Sequence, residues 1–407
     1  MFNVRDVDEV LEIIDENFAG FPLGKEKVKL ASASGRVTAE AVLSREDVPG
    51  FNRSSVDGYA VIARDTNGAS ESLPAQLELV GEVKMGEKPE FDIARGQAAY
   101  VPTGGEVPAG ADAVVMIEYA ENLEDGFIYI EKPAAPGNNM VFAGDDAKRG
   151  STVIQAGHRL RPQDIGALAA MGYPEVAVKR LVKVGILSTG DELVGIEEEV
   201  AGAKVRDVNS HFLYSELIRY GAEPVPYGII KDGYERVRDA VSKAVEECDL
   251  VLVSGGSSVG QKDETYRVIH SLEGCEILLH GIAVKPGKPT IMAKVKGKAV
   301  VGLPGHPVSA YFIYRVVVRR LLDAMYGVTQ AREPYLVAEM ACNYPSNEGR
   351  EEYLPVKLET VPGKTLANPV FGKSGLITLL AAADGYVRIG RGVEGLAAGQ
   401  RVEVIPF

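Results

Sequence analysis

Cysteine is scarce in this sequence. Cys248, Cys275 and Cys342 are odd in number, far apart and never in a C-x-x-C arrangement, which argues against a disulfide framework or a thiolate metal site and reads them as small buried apolar residues. Positive charge is in deficit as well. A net charge of -13 argues against a general nucleic-acid or membrane-surface binder, because phosphate contacts need a basic face; any anionic ligand must be held by a local cluster. No apolar run reaches the roughly 18 residues of a membrane span. The acidic start MFNVRDVDEVLEII lacks the apolar core of a secretory signal, so the expected location is the cytoplasm. There is no Walker P-loop, no H-E-x-x-H, no G-x-S-x-G around Ser254, Ser257 or Ser258, and the five histidines are scattered, which argues against a P-loop enzyme, a zincin or a serine hydrolase. Low-complexity segments and solenoid periods are also missing.

What is present is globular. With 46% hydrophobic and 25% charged residues over 407 positions, the chain is too long for one ordinary core, and two to four domains are expected. The stretch DLVLVSGGSSVGQKDET, residues 249–265, organises the rest. It reads as a buried parallel strand running into Ser254-Gly255-Gly256-Ser257, a tight turn whose backbone N–H groups face a ligand or simply close a strand.

In chain order, residues 7–18 carry helical apolar spacing, with Gly20 as a stop, and a second helical stretch is expected over residues 30–42. Asp57-Gly58 precedes a strand; on spacing alone Asp57 is a turn residue bonding its own backbone. Residues 75–130 are short alternating runs parted by Gly and Pro, a β module with a Pro102-Thr103-Gly104-Gly105 loop. From residue 182 the pattern alternates strand and helix, as a parallel sheet with crossover helices requires. The last two strands of that sheet read as EILLHGIAV and KAVVGLPG, the second feeding Gly305-His306-Pro307 and one long helix over residues 308–325. After Gly327 the pattern is β to the end. The modules are residues 1–44 with 141–180 (helical and linker), 45–140 (inserted β), 181–327 (three-layer α/β) and 328–407 (a small, barrel-like β domain).

Four polar turns are expected on one edge of the sheet: 189–192, 231–232, 254–263 and 285–289. Lys285 and Lys288, spaced by Pro-Gly, cannot form a helix face. They suit a tetrahedral oxyanion or phosphate, or else form a solvated basic loop. Glu192, Asp232 and Asp263 could hold Mg²⁺ by one or two oxygens each, or cap helices.

With VDGYA, PTGGEVPAGAD, AGDD, STGDEL, DVNS, GIIKD, VSGGSSVGQKDET, KPGKP and GLPGHPVSA in this order, the chain closely resembles the MoeA family, molybdopterin molybdenumtransferases related to part of gephyrin. The resemblance implies a MogA-like molybdopterin-binding α/β domain within a four-module homodimer. Its active site would lie between the sheet and C-terminal domains of one subunit and the inserted β module of the other. The implied reaction cleaves adenylylated molybdopterin, releases AMP and inserts molybdate or tungstate, assisted by Mg²⁺. It also implies activity positions at Asp57, Thr103, Asp146, Glu192, Asp232, Asp263 and Lys285. Molybdate would be bound by Lys285, Lys288, Ser309, Arg350 and Ser374, with Ser254, Gly255, Gly256, Ser257, Pro304 and Gly305 on the substrate side. An adenylyltransferase and apo-molybdoenzymes are the implied partners. Three positions depart from the family pattern: Ser257 where an aliphatic residue is common, His306 in place of Asn, and Gly281 where some relatives carry Lys. If His306 sits by the oxyanion, turnover falls as pH rises through the imidazole titration. The alternatives are molybdopterin adenylylation on a shared fold and a gephyrin-like scaffold.

Overall fold

The computed structural model describes residues 4–255, 264–328 and 333–407. Its centre is a six-stranded sheet ordered Glu223–Ile230, Lys183–Thr189, Leu250–Ser254, Lys298–Leu303, Ile291–Val295 and Cys275–His280. The strand Leu250–Ser254 is buried along its whole length, as an unbroken apolar run between two helical layers should be. On one face Leu250, Leu252 and Val301 pack with Leu213, Leu217, Phe312 and the N-terminal helix Val7–Phe18. On the other, Val251 and Val253 meet Val237, Val241 and Val268.

The sheet is not wholly parallel, which corrects the expectation. The first four strands are parallel, but Ile291–Val295 lies antiparallel to both of its neighbours. The cause is a two-residue reversal at Lys296 and Gly297, both with positive φ (51° and 80°), the backbone of a tight hairpin. The helical structure in residues 30–42 is limited to the short 3₁₀ turn Leu30–Ser32. Beyond it Val37 and Thr38 bridge to Arg159 and Val178, so tertiary pairing overrides helix propensity. The helix after His306 runs through a π segment, Tyr314–Val318, before Arg319–Tyr326. Of the cysteines only Cys248 is buried, and Cys342 is exposed, so the reading of all three as buried fails.

The outgoing and returning chain pair in nested order: Lys25–Lys29 with Glu175–Lys179, Val42–Leu43 with Thr152–Ile154, and Arg53–Ser54 with Met140–Val141. Beyond the last pair sits a separate six-stranded β sheet with its own core around Val61, Leu77, Ile128 and Ile130. At the other end Glu351–Val361 pairs with both Lys364–Pro369 and Gly385–Ile389, and the ring through Leu336–Met340 and Arg401–Pro406 closes into a small barrel. The strand Val284–Lys285, which leaves the sheet domain, joins that barrel at Glu351 and Glu352.

The linker region rests on a buried charge. Asp164 caps the helix Pro162–Ala170, taking Arg161 Nε at 3.0 Å and the Arg161 N–H at 2.8 Å, and lies 2.7 Å from His158 Nε2. The Arg161 hydrogen bond holds its carboxyl well below the usual carboxylate range, against the opposing effect of burial and with help from His158. A depressed native pKa contributes stability that is complete above the unfolded value of about 3.9 and is lost as pH falls through the folded one. Asp164→Asn is expected to cost about 1–2 kcal/mol at neutral pH and to flatten the loss of stability below about pH 4, as measured by urea unfolding across that range.

Candidate active site

The carboxyl ends of the parallel strands open onto a cavity of about 550 Å³, the position where open α/β sheets bind ligands. Thr189 to Glu192 follows the strand Lys183–Thr189, and Asp232 follows Glu223–Ile230. These two turns are latched together: the Asp191 carboxylate accepts from the Asp232 N–H at 3.3 Å, and Lys231 Nζ donates to the Leu193 carbonyl at 2.9 Å. A third wall is the corner Pro304-Gly305-His306, where Pro307 opens a helix whose N-terminal dipole end faces the cavity.

Gly255 shows why the sequence needs glycine at the strand end. Its φ is 119°, and a Cβ there would lie 2.2 Å from the Thr189 carbonyl oxygen, so no other residue fits beneath the neighbouring turn. Ser254 is buried, and its hydroxyl accepts from Asn209 Nδ2 at 2.7 Å, while the same amide donates to the Gly305 carbonyl at 2.9 Å. Ser254 and Gly255 thus stand behind the wall of the cavity and brace it. Asn209, in the DVNS motif, is the brace that inspection of strand ends did not single out.

The Lys285–Pro289 loop lines the cavity but does not end a strand of the sheet, which corrects the expected four-turn edge. Lys285 is the last residue of the short strand added to the barrel. The loop is shaped by the Thr290 hydroxyl donating to the Gly287 carbonyl at 2.7 Å and by the Ile282 N–H donating to the Lys288 carbonyl at 3.1 Å. From the barrel side come Arg350 and Ser374. Ser374 is fixed twice, its hydroxyl 2.9 Å from His306 Nδ1 and its carbonyl accepting the Val308 N–H at 3.0 Å.

The structure therefore gathers Glu192, Asp232, Lys285, Lys288, Pro304, Gly305, Ser309, Arg350 and Ser374 around one cavity. Asp57, Thr103 and Asp146 do not line it within one chain. Asp57 accepts from Thr103 N–H at 2.7 Å and Thr103 Oγ1 at 3.1 Å, so it is bonded to the Thr103 loop across the inserted module, where the local reading had it bonding its own turn. Gly256, Ser257 and Asp263 lie outside the described residues. Among the described residues no group of three metal-type ligands converges; the carboxylates at the cavity are Glu192 and Asp232. A second cavity, of about 470 Å³, lies at Tyr335, Arg388 and Arg401 in the barrel and shares no residue with this one.

Fold and site together define an α/β domain whose sheet edge and a docked β barrel enclose one cavity lined by Lys285, Lys288 and Arg350. Three family models tile the chain: the MoeA N-terminal region (domains I and II) over residues 5–172, a probable molybdopterin-binding domain over 185–324, and the MoeA C-terminal region (domain IV) over 337–407. The molybdopterin molybdenumtransferase of Bacillus subtilis is 31% identical over 93% of this chain and 89% of its own. That of a Nostoc species is 33% identical over 83% and 78%. The crystal structure of the molybdopterin biosynthesis MoeA protein of Pyrococcus horikoshii superposes with a TM-score of 0.86 at 33% identity, covering 100% of both chains. The chain belongs to the MoeA family.

Replacing Gly255 by alanine is expected to cost at least about 2 kcal/mol, because the Thr189 turn must move; denaturant unfolding measures it.

Proposed function

We propose that this chain is a molybdopterin molybdenumtransferase that takes adenylylated molybdopterin, releases AMP and places molybdate, or its near-isostere tungstate, in the dithiolene. The observation that supports this most is the meeting of Lys285, Lys288 and Arg350 with a helix N-terminus in one cavity of a protein whose net charge is -13. Such a cluster suits a tetrahedral dianion and a phosphate, since cations and amides lower the cost of taking the anion out of water. Ser309 and Ser374 line the same space and have hydroxyls able to hydrogen-bond oxyanion oxygens.

In the reaction water adds across the phosphoanhydride bond between AMP and the pterin phosphate, AMP leaves, and the two dithiolene sulfurs bond the metal in place of one molybdate oxygen, which departs as water with the two thiol protons. The lysines and Arg350 hold the oxyanion and offset the charge of the phosphates beside it. Glu192 and Asp232 fit Mg²⁺ in the way that ion is commonly bound, by one or two carboxylates with the remaining positions left to water and substrate phosphate; when bound it would neutralise charge on the departing phosphate. Gly256 and Ser257 belong to the substrate side of this reading, and Asp263 to its activity positions and, with Glu192 and Asp232, to the Mg²⁺ site.

Asp57, Thr103 and Asp146 are assigned to the same chemistry from a second copy of the chain, in a homodimer whose inserted β module reaches its neighbour's cavity. An adenylyltransferase delivers the substrate and apo-molybdoenzymes receive the product. No helix among the described residues is long and apolar enough to cross a membrane, and we place the reaction in the cytoplasm.

Single-turnover AMP release should require the oxyanion and Mg²⁺, and should be lost in Asp57→Ala and in Lys285→Ala. Mixing those two inactive variants after subunit exchange should restore about a quarter of wild-type activity, because half of the dimers are mixed and each carries one intact site. Mixing with no recovery would rule out a shared site, and AMP release independent of any oxyanion would rule out the insertion step.

A further inference from the structure

We propose that Glu352 is the positioning residue for Lys285. The inference rests on the reading of the cavity as an oxyanion site and deepens it. Glu352 stands opposite Lys285 in the parallel pairing of Val284–Lys285 with Glu351–Val361, and its Oε1 accepts from Lys285 Nζ at 2.9 Å. Two features separate this from an ordinary surface ion pair, which contributes little. The Glu352 side chain is only 5% exposed, whereas Lys285 is 38% exposed and reaches the cavity. The carboxylate is also fixed from behind: Tyr344 OH donates to Oε1 at 2.8 Å and Ser346 Oγ to Oε2 at 2.5 Å.

A lysine has four rotatable side-chain bonds, and ordering it for each turnover carries an entropic cost. Glu352 meets that cost in the fold itself. Two hydroxyls and the barrel strand hold the carboxylate, the carboxylate holds the ammonium, and the ammonium stands at the cavity wall before the ligand arrives. Arg350 lies two residues earlier in the same stretch and also lines the cavity. One segment of the barrel therefore contributes one cation and orients another. Removing the carboxylate has two opposed effects on the anion. It frees the lysine, which weakens the productive geometry, and it deletes a poorly screened negative charge beside a dianion site, which favours ground-state binding. A positioning role thus predicts a loss in kcat without a loss in affinity.

The test combines turnover with calorimetric binding of molybdate and tungstate to the full-length protein. Glu352→Gln is expected to lower kcat roughly tenfold while oxyanion affinity stays equal or becomes tighter. Glu352→Asp, which keeps the charge, should recover part of kcat, and Lys285→Met should weaken oxyanion binding at least about tenfold. Should Glu352→Gln not fold, Tyr344→Phe combined with Ser346→Ala loosens the carboxylate without deleting it and is expected to lower kcat severalfold in the same sense. The role is overturned if the Glu352 or Tyr344/Ser346 variants leave kcat unchanged, if Glu352→Asp is no better than Glu352→Gln, or if Glu352→Gln weakens oxyanion binding as Lys285→Met does. A wild-type chain that binds neither oxyanion overturns the reading of the cavity itself, and that result is distinct from all of these.

Discussion

The site depends on one short pairing, Val284 and Lys285 against Glu351 and Glu352. It joins the Lys285 loop to the stretch that carries Arg350, while Ser374 is held to the sheet domain separately, through His306 and Val308. The pairing is backed by a dry aromatic contact. Phe312, from the helix that starts at the cavity, stacks on Tyr353 with ring centroids 5.4 Å apart and meets Tyr386 edge-on at 5.3 Å, while Tyr311 meets Phe407 at 5.3 Å. Aromatic pairs of this kind contribute both buried area and a preferred geometry. Glu333 adds a polar clasp, accepting from Arg315 at 2.9 Å and Tyr386 OH at 3.1 Å. The helix that presents its N-terminus to the cavity is thus the same element that carries the barrel.

This arrangement resolves an apparent conflict of charge. The chain is strongly acidic, yet its cavity gathers three cations. Two of them come from a loop stiffened by Pro286, Pro289 and the Thr290–Gly287 hydrogen bond, and the third enters from the barrel. Each approach is set by backbone pairing or by packing. The attraction needed for an anion is therefore local and short-ranged, as it must be when salt screens exposed charges more than about 10 Å away. Glu192 and Asp232 line the same space, so its walls carry charges of both signs.

Much of the fold was readable from periodicity. The helix Val7–Phe18 and the strand Leu250–Ser254 were legible because each has an unbroken pattern that a single layer can satisfy. The polar turns at 189–192 and 231–232 were legible because strand ends in such sheets are ligand-facing. What escaped reading was decided by pairing between distant segments. Lys296-Gly297 does not spell a familiar hairpin, so the antiparallel return of the last strands went unread. Residues 30–42 look helical by composition but pair part of their backbone with residues more than 100 positions away, as the Thr38 N–H does with the His158 carbonyl at 2.9 Å and the Ala39 N–H with the Ala177 carbonyl at 3.1 Å.

By itself, the sequence determined the layer pattern of the α/β domain and the chemical kinds of residue available for an anion. Those properties are local, because spacing, Pro and Gly placement and side-chain type act over a few residues. Only the tertiary structure decided that the Lys285 loop belongs to the barrel edge, that Ser254 and Gly255 brace the wall from behind, that Asp57 and Thr103 bond to each other away from the cavity, and that Glu352 is buried beneath Lys285. In the sequence, Glu351 and Glu352 are two acidic residues among many. Burial and a partner 67 positions away give Glu352 its role, and neither is encoded within reach of any local pattern.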